Sequence, residues 1–261
     1  MLEPVEAYAY LAAALELSPG ALSYSIVAIF IASIVRGFAG FALSALIMAS
    51  MAMVIPPVSL IPLCIILEMV ASVLMFRGGL RDADRQVVVG LAIGSTIGVP
   101  LGLYATRALP TDVSRTVALI LILVLAALQL TRSSPAFLAT RPGLYASGLV
   151  AGIATGLASI GGMVVALYVL ARDAPPKSMR ASLVLYLFIS MFTSSLWLAS
   201  SGMLDSLAFK RAAVFAPLII VGVLLGIRLF RPSLQPFYRR FCLLLLIALA
   251  VLGLVRLALD I

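Results

Sequence analysis

The chain has 261 residues, of which 64% are hydrophobic and 11% charged, with no histidine, no asparagine and a formal charge of +8. That composition excludes a water-soluble domain with a polar shell. The basic residues lie in short clusters between apolar runs rather than along one face or tail, so they read as topology signals of a polytopic membrane protein and not as a nucleic-acid surface.

Residues 1–20 form an N-terminal segment with Glu3, Glu6 and Glu16 and no Lys or Arg, the reverse of the basic start of a secretory signal, so no cleaved leader is expected. The stretch "PVEAYAYLAAALEL" reads as a short interfacial helix with Tyr8 and Tyr10 at headgroup level. Ala21 to Val54 follows, too long for one untilted pass, too short for two, and interrupted by "RGFAG". Uninterrupted spans are expected at Val58–Phe76, Val87–Thr106 and Val113–Leu130. The polar linker 131–143, "TRSSPAFLATRP", precedes a second broken segment, Leu144 to Ala171, interrupted by "TGLASIGG". Spans at Ala181–Ser200, Ala212–Phe230 and Phe241–Leu259 complete the chain.

The interruptions belong to an internal repeat. Gly37 and Gly156 are 119 residues apart, as are "PPVS" at Pro56 and "PPKS" at Pro175, while "GVPLG" at Gly98 and "GVLLG" at Gly222 are 124 apart. The expected fold is all-α and membrane-embedded, a first repeat over 21–130 and a second over 144–261, each a broken or re-entrant hairpin followed by three spans. Seven or eight spans are the alternatives. If both broken segments crossed, the loop Lys and Arg would divide 8 to 9, which sets no orientation. If the second returns to its own side, Arg77, Arg81, Arg85, Arg132, Arg141, Arg172, Lys177, Arg180, Arg228, Arg231, Arg239 and Arg240 share a face, leaving Arg107, Arg115, Lys210, Arg211 and Arg256 opposite. The split is then 12 to 5, and the basic face is cytoplasmic. Two hairpins with an odd number of spans per repeat would insert the halves upside down relative to one another.

Unwound hairpin tips expose backbone N–H and C=O groups at membrane depth, which requires burial in protein or a wet cavity. The second arms are expected to start near Phe41 and Gly161, aiming two helix N-termini at the midplane, where they favour an anion. The expected anion site is Arg36 as a bidentate guanidinium, Gly37, Gly40, Gly156, Gly161 and Gly162 for close backbone approach, and Ser44, Thr155 and Ser159 as hydroxyl donors. The competing reading is that the glycines only let helices pack and that Arg36 pairs internally or snorkels to an interface. Glu68, inside a span, is either a proton carrier or the salt-bridge partner of Arg36, and its repeat counterpart is Leu187. The series Gly94, Gly98, Gly102; Gly148, Gly152, Gly156; and Gly222, Gly226 mark close helix contacts. Interhelical hydrogen bonding is expected from the hydroxyl patch at Ser190, Thr193, Ser194 and Ser195. Cys64 and Cys242 lie in apolar runs without metal-ligand spacing, and neither a metal nor a cofactor is expected.

Two glycine-rich broken segments, each followed by "PP-x-S" and a long apolar helix, resemble the sulfite exporter TauE/SafE family from Ala21 onward. The second copy, "GLVAGIATGLASIGGMVVALYVLARDAPPKSMRASL", is closer to the family pattern, since the first has Ala42 and Leu43 where Gly161 and Gly162 stand. The resemblance implies a multi-pass transporter of the bacterial inner membrane that exports small sulfur-containing anions such as sulfite or short organosulfonates. Proton coupling through Glu68 and a homo-oligomer are further expectations. An anion channel, or a carrier for a non-sulfur organic anion, stands as the alternative. An enzyme is not expected: histidine, paired intramembrane carboxylates and a metal-ligand cluster are all missing, and no G-x4-G-K-[ST] loop supports ATP-driven transport.

Overall fold

The computed structural model describes residues 4–131, 137, 140–172, 176–230, 233 and 235–259. Eleven α-helices are formed there: α1 Pro4–Ala14, α2 Pro19–Ala39, α3 Leu43–Met51, α4 Pro57–Asp82, α5 Arg85–Ala108, α6 Thr111–Leu130, α7 Arg141–Ala158, α8 Gly161–Ala171, α9 Pro176–Ser200, α10 Ser206–Leu229 and α11 Gln235–Ala258. Among the described residues there is no strand. Polar punctuation sets the helix starts, because Ser18, Asp84, Thr140 and Asp205 each accept a hydrogen bond from a first-turn N–H at 2.7–3.2 Å.

Among the described residues seven helices are long and apolar enough to cross a membrane: α2, α4, α5, α6, α9, α10 and α11. Six match the expected uninterrupted spans. The seventh is α2, whose 21 residues reach about 31 Å at 1.5 Å per residue, so the first broken segment is a full-length arm and a short return rather than two equal arms. The seven-span alternative fits this count.

The glycine series determine how the helices cross. On one side, Gly94, Gly98 and Gly102 of α5 face Gly148, Gly152 and Gly156 of α7 in register, so these two helices run parallel with their backbones in contact. On the other, Ser33 of α2 faces Gly222 of α10 and Gly37 faces Gly226, again parallel. A Cβ on Gly98, Gly152 or Gly226 would collide with a carbonyl of the partner helix, so close approach is what these positions require. The remaining contacts follow the repeat: α4 packs on α9, α6 on α11, α3 on α11 and α8 on α6.

Both broken segments fold back. The Tyr24 hydroxyl near the start of α2 donates to Ser50 O near the end of α3 at 3.0 Å, and Arg115 at the start of α6 donates to Ala52 O at 2.8 Å. The first hairpin therefore leaves from the end of the bundle where it entered. In the second, Gly161 lies against Ala151 and Thr155 of α7. Arg172 beyond α8 comes within 4.0 Å of Asp84 at the start of α5, and Lys177 within 3.1 Å of Asp82 at the end of α4. Because α5 and α7 are parallel, α8 ends beside the start of α7.

Candidate functional site

Each hairpin breaks at a left-handed residue. Gly40 has φ 82° and closes α2 with its N–H on Arg36 O, and 119 residues on, Ser159 has φ 57° and closes α7 on Ala154 O and Thr155 O. Glycine adopts this conformation freely, whereas serine there is held by its surroundings. Ala42, also left-handed at φ 76°, starts α3, and neither α3 nor α8 has a side-chain N-cap, so their first N–H groups are uncapped by side chains.

The two breaks converge on one cavity, lined by Ala42, Ser44 and Ala45 from the first hairpin and by Thr155, Ser159, Gly161 and Gly162 from the second. Glu68 of α4 and its repeat counterpart Leu187 of α9 also line it. It is a constriction with room for about one water. The Ser159 hydroxyl is buried there without a hydrogen-bond partner, while Thr155 Oγ1 donates back to Ala151 O at 2.8 Å.

Arg36 is fully buried, and each of its three guanidinium nitrogens has a partner. Nε donates to Glu68 Oε1, one terminal nitrogen to Gly40 O, and the other to Ser72 Oγ at 3.1 Å. Ser44 Oγ donates to Glu68 Oε2 at 3.0 Å, completing a closed network. The repeat-related positions of Arg36, Ser44, Glu68 and Ser72 are Thr155, Met163, Leu187 and Met191, so one half of the site carries a charge pair and the other is neutral.

The expected site residues therefore separate. Ser44, Thr155, Ser159, Gly161, Gly162 and Glu68 come together around the cavity, whereas Arg36 stands behind Glu68 as its salt-bridge partner and is not in the lining. Gly37 and Gly156 lie at the α2–α10 and α5–α7 crossings, and Gly40 bends the chain at the first tip. Physically, a glycine that admits a ligand and one that admits a helix are the same residue, and only the fold says which surface arrives. Sequence reasoning missed Arg180 of α9, counted there as a loop charge. Its guanidinium donates to Gly37 O at 2.7 Å and stacks over Phe230, 4.4 Å from the ring centre. In the hydroxyl patch of α9, Thr193 bonds back to Ser190 O and Ser194 Oγ has no partner; interhelical bonds of this helix come instead from residues outside the patch, among them Tyr186 to Ser95 Oγ and Trp197 to Thr96 O, both at 3.0 Å. Among the described residues no cluster of His, Cys, Asp or Glu is arranged to hold a metal, and both cysteines are buried free thiols.

The family model described as Sulfite exporter TauE/SafE matches residues 25–252. A probable sulfite/organosulfonate exporter TauE of Cupriavidus necator is 27% identical over 163 residues, covering 61% of this chain and 63% of that relative, which is less than two thirds of its length. No solved structure matches the chain.

Proposed function

Since the chain belongs to the TauE/SafE family of multi-pass inner-membrane proteins, we propose that it is a secondary carrier that exports sulfite or a short organosulfonate, with the anion bound between the two hairpin tips. One observation carries this reading: two uncapped helix N-termini and the unpartnered, buried Ser159 hydroxyl meet at a single constriction. Helix-start N–H groups without a side-chain cap and a free hydroxyl can donate to a ligand, which suits an oxyanion stripped of water. The helix crossings that exchange between the halves support an inverted-repeat carrier, and a constriction this narrow supports alternating access over a permanently open path.

Glu68 supplies the coupling. While it is ionised it neutralises Arg36, holds Ser44 and repels an arriving anion. Protonation removes the repulsion and releases the Arg36 guanidinium and the Ser44 hydroxyl as donors, so proton and anion bind together. A dianion leaving with one proton carries one net negative charge outward. An inside-negative potential favours that by about 2.3 kcal/mol per 100 mV.

The test is flux from proteoliposomes with sulfite, sulfoacetate, taurine, sulfate and acetate, at several pH values. Sulfite or sulfoacetate should be moved in preference to acetate, and Glu68→Gln should lose the pH dependence. Ser159→Ala should lower anion affinity by roughly 5- to 10-fold, the worth of one hydrogen bond. Wild-type flux indifferent to the anion, or Glu68→Gln with an unchanged pH profile, would overturn this function or its coupling respectively.

A further inference from the structure

Arg180 carries a charge that no described carboxylate compensates. Among the described residues no carboxylate lies within ion-pair distance of it, and its Nε is buried without a hydrogen-bond partner. It is tethered rather than neutralised, through the bond to Gly37 O, the stack on Phe230 and the packing of its stem over Gly40. An unpaired guanidinium at the edge of a span is costly, and a structural charge would be expected to have a counter-ion.

The side chain lines a second cavity, separate from the central constriction, with Phe38 and Phe41 of the first tip, Gln129 of α6, and Tyr238 and Arg239 of α11. Among the described residues no carboxylate lines this cavity. Arg239 is held there by donating to Gln129 O at 2.6 Å. The cavity sits at the end of the bundle where α9 and α11 begin, the end that carries the larger share of the basic loops. Arg36 and Arg180 also donate into the same turn, to Gly40 O and Gly37 O, so the outer cavity and the inner charge pair share the backbone of the first tip.

We propose that this cavity is an outlying oxyanion site, in which Arg180 takes a sulfonate or sulfite from the cytoplasmic side before the hairpin tips admit it. The proposal rests on the export reading above and extends it to a two-site path: capture at Arg180 by charge, then transfer to the N-termini of α3 and α8. The rim of Phe38, Phe41 and Tyr238 suits a small organic group attached to the sulfonate, and the guanidinium fork suits two oxygens of its head.

The experiment measures flux of sulfite and methanesulfonate in proteoliposomes against anion concentration on each face, with wild type, Arg180→Lys and Arg180→Gln, and the melting temperature of each. Arg180→Gln should raise KM on the face carrying the α4–α5 connection by about 10-fold or more, the worth of one charge-assisted contact, and leave KM on the other face within about 2-fold. Arg180→Lys should fall between, because it keeps charge and loses the fork. Melting temperature should hold or rise in Arg180→Gln, since an uncompensated charge is being removed. An equal KM change on both faces, no change on either, or a melting temperature that falls with Gln and is restored by Lys would overturn the outlying site and make Arg180 a packing element. Wild type that moves neither anion would overturn the export reading, and the outlying site with it.

Discussion

Arg36 and Glu68 form one energetic unit, because both are buried and each is the other's counter-charge. Removing one partner strands the other in a low-dielectric surrounding, at a cost of about 3–5 kcal/mol, while replacing both with apolar groups of similar size is often neutral. Arg36→Leu or Glu68→Leu alone is therefore expected to lower the melting temperature sharply, and the double variant to recover most of it. Flux should be lost in all three, since the double variant restores packing but has neither proton carrier nor guanidinium. Thermal unfolding in detergent beside liposome flux checks this. If the double variant is as unstable as the singles, the pair is not what holds the two side chains in place. Gly40→Ala belongs to the same turn and meets two obstacles, the left-handed φ of 82° and the Arg180 stem at 2.9 Å, so it should disturb both arginines at once.

Among the elements, the glycine faces hold the parallel helix pairs together. In lipid there is little hydrophobic drive between helices, so close backbone approach and dispersion must supply the association. Gly98→Ala places a methyl on the backbone of α7 at Leu149 and Ile153, and should destabilise by about 1–3 kcal/mol or more because backbone cannot give way as a side chain can. Gly20→Ala, with nothing within 4 Å, should be neutral or slightly stabilising. Equal melting temperatures for the two variants would contradict the α5–α7 crossing. Most of the fold was legible at this scale: hydropathy placed six spans within a few residues of α4, α5, α6, α9, α10 and α11, and the repeat placed both breaks. Less was legible in the site. Charge inside an apolar run marks Arg36 and Glu68 as special and leaves their pairing as one of two readings; the salt bridge between them is visible only in the fold. Arg180 was hidden for the opposite reason. Four residues into α9 it reads as a topology signal, and only the return of the first hairpin brings Gly37 to it.

Across the whole molecule, the helix register makes the two hairpins open at opposite ends. The parallel crossing of α2 on α10 ties the start of α2 to the start of α10, and Arg211 of α10 donates to Leu15 O just ahead of α2 at 3.0 Å. The parallel crossing of α7 on α5 likewise ties the start of α7 to Asp84, where the second hairpin also leaves, beside Arg172. The sequence count assigns most of the Lys and Arg outside the spans to the face of Asp84, so the positive-inside rule predicts that this face is cytoplasmic and the segment ahead of α2 periplasmic. Single cysteines at Arg85 and Lys177 should react with an impermeant maleimide from the cytoplasmic side, and cysteines at Gly20 and Asp112 from the periplasmic side; all four positions are exposed. The native thiols Cys64 and Cys242 are both fully buried and give no background. Labelling of position 177 from the side opposite to 85 would mean that α7 and α8 cross rather than return, separating the Ser159 tip from Glu68 and dissolving the constriction. Labelling of position 20 from the cytoplasm would leave the second hairpin intact but break the α2–α10 register, and with it the contact through which Arg180 reaches the first tip.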